Sequence, residues 1–148
     1  MIIAIGSDQW GFDFKQMLIK EFTAKGHEFV DVGAYNRDEI DYPDIAYTVA
    51  QKVSKKECER GILICGTGIG MALTANKVKG AYAAVCHDVY STERSILSNN
   101  ANIMCMGAQV IGPKTAYSLT DLWLNLEFDS KSNSARKVQE IYQIEKLG

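Results

Sequence analysis

No apolar run in this 148-residue chain is long enough to span a bilayer, so a membrane-crossing helix is excluded. The first residues lack the charged start and small-residue cleavage site of a secretion signal, and a cytoplasmic location is expected. A dominant charge is also missing: 16 Lys and Arg face 18 Asp and Glu, a net charge of −2. That balance argues against nucleic acid or an anionic membrane as partner, although a local basic patch could still hold one phosphate. Cys58, Cys65, Cys86 and Cys105 form no CxxC pair and have no His-rich segment beside them. They read as reduced thiols, and no metal or other cofactor is expected. Nor is the composition that of a disordered chain, with 47% hydrophobic and 23% charged residues. The length suits one domain over residues 1–148, large enough to bury roughly 68–70% of its unfolded surface without staples.

What is present is a regular alternation. Residues 1–6 (MIIAIG) read as a buried strand, followed by a helical stretch carrying Phe14, Met17, Leu18 and Phe22 and stopping near Gly26. Residues 28–33 alternate like a second strand, and Asp41-Tyr42-Pro43-Asp44 turns into a helix with Ile45, Val49 and Val53 on one face. Further strands are predicted at 61–65, 81–86 and 102–106. Helices are predicted from Met71 to about Lys79-Gly80, at 89–97, at 114–126, and around Val138, Ile141 and Ile144. This order specifies a three-layer αβα, doubly wound, Rossmann-like fold with a five-stranded parallel sheet. Ligands in such folds bind beyond the carboxyl ends of the strands. Ser7-Asp8-Gln9, Cys65 to Gly70 and Cys86-His87-Asp88 sit at those ends. The arm at 130–148 is polar, then amphipathic, and its apolar stripe suits docking on a partner subunit as well as on its own chain.

Gly66, Gly68 and Gly70 follow a buried strand directly and open a helix, where converging backbone N–H groups can hold an anion. The G-x-G-x-G spacing is not the dinucleotide fingerprint, and Met71-Ala72 replaces the Lys-Ser/Thr pair of a nucleotide phosphate loop. A tight turn that only packs a helix would leave Cys65 and Thr67 without a purpose. At the mouth of that helix its dipole favours a thiolate on Cys65, able to serve as nucleophile or base. The other three cysteines read as core residues. His87 reads as part of a helix-capping segment satisfied by local hydrogen bonds rather than as a catalytic group. Trp10 suits either a lid over the pocket or a staple for the first helix.

Ser7-Asp8, Asp41 to Asp44, the run ICGTGIGMALTANKVKG, Asn99 to Asn102, Gly107-Ala108 and Ile111-Gly112 resemble type B ribose-5-phosphate isomerase and its relative galactose-6-phosphate isomerase. The resemblance covers nearly the whole chain in order. It implies aldose–ketose isomerisation through a cis-enediol, with ribose 5-phosphate and ribulose 5-phosphate as the default pair. On that resemblance Cys65 is the base and Thr67 the shuttle between the two oxygens. The loop N–H groups from Gly66 to Gly70, those of Thr67, Gly68 and Ile69 included, stabilise the enediolate. Asp8 and Tyr42 hold sugar hydroxyls, and Asn99 contacts the reacting end. The site is expected between two subunits, as a homodimer or homotetramer with the C-terminal helix packing on the partner.

Five positions depart from the family pattern. Gln9 stands where a histidine is usual, and Ser98 replaces the histidine that opens the sugar ring. Gln109 replaces an arginine, and Asn133 and Lys137 occupy the two arginine positions of a phosphate clamp. Serine is no acid–base group near neutral pH without a neighbouring base. Either the substrate is a different sugar, open-chain or shorter, or an unlike partner chain completes a heteromer as in galactose-6-phosphate isomerase. A catalytically silent sugar-binding relative is the remaining alternative.

Overall fold

The computed structural model describes residues 1–148. Five parallel strands, β1 (Ile2–Ser7), β2 (Glu28–Asp31), β3 (Arg60–Cys65), β4 (Ala83–Val85) and β5 (Ile103–Gly107), lie in the order β2-β1-β3-β5-β4. Helices α1 (Phe12–Thr23), α2 (Tyr42–Ser54), α3 (Ile69–Ala75), α4 (Val89–Leu97), α5 (Pro113–Leu124) and α6 (Ala135–Glu145) complete the chain. Alternate strand residues point to opposite faces. Ala4, Leu63, Cys65, Ile103 and Cys105 pack under Ile45, Val49 and Val53 of α2 and Met71 and Ala75 of α3. Ile3, Ile5, Ile62, Ile64, Met104 and Met106 pack under Leu18 and Phe22 of α1, Ile96 of α4, and Leu119 and Trp123 of α5. The three-layer αβα architecture is therefore as the alternation required.

The second strand ends two residues early at Asp31, the helix at 114–126 runs from Pro113 to Leu124, and the largest difference lies in one region. The third helix ends at Ala75 rather than near Gly80, and β4 has only three residues. Asn76, the residue after α3, connects the two elements. Its side-chain amide donates to the Ala83 carbonyl at 3.0 Å and accepts from the Ala83 N–H at 2.8 Å, closing the free edge of β4 as a strand would. Asn102 works on the loop before β4, accepting from the Tyr82 N–H and donating to the Gly80 carbonyl. Helix α6 contributes only Val138 to the buried set. It docks through polar contacts: Glu145 accepts from the Gly80 N–H at 2.8 Å and from the Tyr82 hydroxyl at 2.7 Å, and Tyr142 accepts from Asn100 at 3.0 Å. Ile141, Ile144 and Leu147 remain exposed.

Lys15 is wholly buried on α1 and forms a two-pronged ion pair with Asp31 at the end of β2, both contacts 2.7 Å. Asp31 also accepts from the Gly33 N–H. A lysine is buried only when such a partner is in place. No helix is long and apolar enough to cross a membrane.

Candidate active site

Beyond the carboxyl ends of β1 and β3 lies an open cavity of about 520 Å³. Here the strand order reverses, since β2 lies to one side of β1 and β3 to the other. Residues 8–10 after β1, 39–42 entering α2, and positions from 65 to 73 on β3 and α3 line it.

Asp8 is nearly buried, and its Oδ1 accepts from the N–H groups of Trp10 (2.9 Å) and Gly11 (3.2 Å). Burial pushes its carboxyl above the ordinary 3.8, and the backbone donors oppose that rise. The turn so closed sets Trp10 over the cavity, 56% exposed, its Cδ1 3.8 Å from where a side chain on Gly66 would begin. Of the two roles open to Trp10, the cavity wall is the one observed. Gln9 also lines the wall, and its Oε1 accepts from the Ile40 N–H at 3.1 Å, tying the end of β1 to the loop before α2. Tyr42, the first residue of α2, packs the outer end of its ring against Gly70: a Cβ there would stand 2.4 Å from Tyr42 Cζ.

The Cys65 side chain belongs to the α2/α3 face and lines the cavity while nearly buried, 4% exposed. Its Sγ receives the Gly68 N–H at 3.1 Å. Gly68 takes φ +79°, and a Cβ on it would sit 2.9 Å from the Met106 backbone, so the loop can follow this path only with glycine. Thr67 Oγ1 accepts from the Ile69 N–H at 3.2 Å. The N–H groups of Gly66, Thr67 and Gly70 have no acceptor within the chain. A nearly buried thiol thus shares the cavity wall with a loop that holds uncommitted N–H donors, a set that can stabilise a developing oxyanion.

The cavity brings together Asp8, Gln9, Tyr42, Cys65, Gly66, Thr67, Ile69 and Gly70, with Gly68 behind the sulfur. Four expected residues are elsewhere. Ser98 caps the end of α4, and Asn99 lines a separate groove along β4 with Asn76, Ala83 and Ile141. Asn133 and Lys137 lie exposed at the start of α6. His87 is not on the cavity wall. Asp88 caps α4 locally by accepting from the Ser91 N–H, as expected. The His87 ring instead reaches across to β5, where its Nε2 accepts from the Gly107 N–H at 2.8 Å. Glu39 and Ile40 line the cavity without having been marked in the sequence, because they belong to an irregular loop, and Asp41, marked only as the entry to a helix, lines it with them. Gln109 folds over Gly66.

The family described as Ribose/Galactose Isomerase matches residues 3–141. Ribose-5-P isomerase B of Listeria innocua is 51% identical over 136 residues, 92% of each chain. D-erythrulose-4-phosphate isomerase 2 of Mycolicibacterium smegmatis is 48% identical, covering 94% of this chain and 93% of its own. The solved structure of Clostridium thermocellum ribose-5-phosphate isomerase B superposes with a TM-score of 0.95 at 41% identity, covering 99% of both chains.

Proposed function

The chain belongs to the ribose/galactose isomerase family, and from that premise we propose that it interconverts an open-chain four-carbon aldose phosphate and its ketose through a cis-enediol. That it is a sugar-phosphate isomerase follows from the family and from relatives named as such. The observation that carries the narrower reading is Ser98, which supplies no proton where the family opens a ring. A tetrose 4-phosphate has its O4 esterified and forms no furanose, so it needs no ring-opening acid. A substrate of this size also matches the 48% identical relative, whose name specifies D-erythrulose 4-phosphate. Ribose 5-phosphate is the second reading, favoured by the name of the 51% identical relative.

Cys65, as thiolate, takes the proton from C2 of the aldose, and electrons move onto O1 to give the enediolate. The uncommitted N–H groups of Gly66, Thr67 and Gly70 receive that charge. Thr67 moves a proton between O2 and O1, and Cys65 returns its proton to C1, so no net oxidation occurs. Asp8, Gln9 and Tyr42 hold hydroxyls from the wall of the cavity. Ser98, Asn99, Asn133 and Lys137 come from a second copy of this chain, with Lys137 meeting the phosphate. Two features support this arrangement: their absence from the cavity wall, and the uncovered Ile141, Ile144 and Leu147 of the arm.

The test is ketose formation by the purified chain from erythrose 4-phosphate, ribose 5-phosphate and galactose 6-phosphate. kcat/KM is expected to be highest on the tetrose. Ser98→His is expected to raise kcat on ribose 5-phosphate and leave the tetrose rate unchanged. Preference for ribose 5-phosphate by the unmodified chain would overturn the four-carbon reading, and inactivity of the chain alone on all three would point to an unlike partner.

A further inference from the structure

We propose that His87 is a positioning residue that holds the end of β5 against the Cys65 loop, and that it does so only as a neutral imidazole. Strand β4 pairs with β5 no further than Val85 opposite Cys105, with one more bond from the Cys86 N–H to the Cys105 carbonyl. Gly107, the last residue of β5, therefore has no backbone acceptor on that side. The His87 ring replaces the missing strand: its Nε2 accepts the Gly107 N–H at 2.8 Å. A nitrogen that accepts carries no proton, so the neutral ring holds its proton on Nδ1.

On its other side β5 is the support of the reactive loop. Gly107 stands in register with Cys65, and the N–H groups of Ala108 and Gln109 donate to the carbonyls of Cys65 (2.8 Å) and Gly66 (3.0 Å). The fit has no slack, since a Cβ on Gly107 would lie 2.6 Å from the Gly66 oxygen and from Thr67 Cα. A movement of Gly107 is thus passed directly to the loop whose Gly68 N–H meets the Cys65 sulfur.

Protonation turns Nε2 into a donor facing a donor, and the Gly107 N–H loses its acceptor. Asp88 is the charged group that acts on the ring and favours its charged form. Burial outweighs it and holds the ring below the ordinary 6.5, while Asp88 itself is engaged with the Ser91 N–H. The thiols of Cys86 on the segment after β4 and Cys105 on β5 are both raised by burial and stay neutral.

The inference rests on the Cys65 loop being the reactive one, and the experiment separates the two. The pH dependence of kcat is measured for the wild type, His87→Gln and His87→Leu, and the Gly107 amide resonance is followed over the same range. In the wild type the amide resonance and kcat change together in an acid limb lying below 6.5. Glutamine offers an acceptor at the position of Nε2 without titrating. It is expected to keep the rate at pH 8 and to lose the part of that limb that follows the Gly107 amide, whereas Asp8 and the Cys65 base, common to both proteins, act equally in each. His87→Leu is expected to lower kcat about tenfold at pH 8 with little change in KM, because a buried N–H is left without an acceptor. A Gly107 amide that ignores the ring, or an unchanged acid limb in His87→Gln, overturns the proposal. The activity of Cys65→Ala reports separately on the loop itself.

Discussion

Gly70→Ala separates what holds the fold from what shapes the site. The added Cβ would stand 2.4 Å from Tyr42 Cζ and 2.7 Å from its hydroxyl, against 3.4 Å for ordinary contact. The Tyr42 ring must therefore recede by about 1 Å, the difference of the two Cζ distances. The ring is the outer end of a half-exposed side chain, so moving it costs the fold little. Gly70 lies inside α3, where alanine is favoured over glycine by up to about 1 kcal/mol. Unfolding stability should stay level or rise. Catalysis should not: a displacement of about 1 Å in a substrate-holding group costs on the order of 10–100-fold in kcat/KM. Thermal unfolding and steady-state kinetics on one preparation decide the matter. An unchanged kcat/KM would remove Tyr42 from the site, and a large loss of stability would show that the tyrosine is part of the core.

Two further predictions concern stability. Lys15→Ala leaves the Asp31 carboxylate without its cation; because Asp31 is partly exposed, a loss of about 3 kcal/mol is expected, read from denaturant unfolding. Asp8 has a folded-state value raised above 3.8, so the folded protein binds its proton more tightly than the unfolded chain. Its stability contribution therefore falls as pH rises from 3.8 through the raised value and stays lost above it. Asp8→Asn retains an acceptor for Trp10 and Gly11, and its stability should lack this slope when unfolding midpoints are compared across that range.

The sheet and its helices were readable from the chain because apolar runs such as GILIC, closed by glycine, alternate with amphipathic stretches. Across the misplaced boundary at 75–83 the Asn76 side chain pairs with Ala83 in the place of a neighbouring strand, a contact that leaves no trace in periodicity. Cys65, Thr67 and the glycines were legible because residue type, strand end and helix start coincide within six positions. The Gln9 bond to Ile40 spans 31 residues and the His87 bond to Gly107 spans 20. Both depend on how strands neighbour each other, which spacing does not encode. Lys15 was hidden for the same reason, since its partner Asp31 lies on another element.

The role of Cys65 is tested most directly by Cys65→Ala, with isomerisation and exchange of the substrate carbon-bound hydrogen measured together in D₂O. Loss of the base should lower both by about 10²–10⁴-fold, while the unfolding transition keeps its cooperativity. A variant that still isomerises and exchanges at the wild-type rate would contradict proton transfer by this thiol.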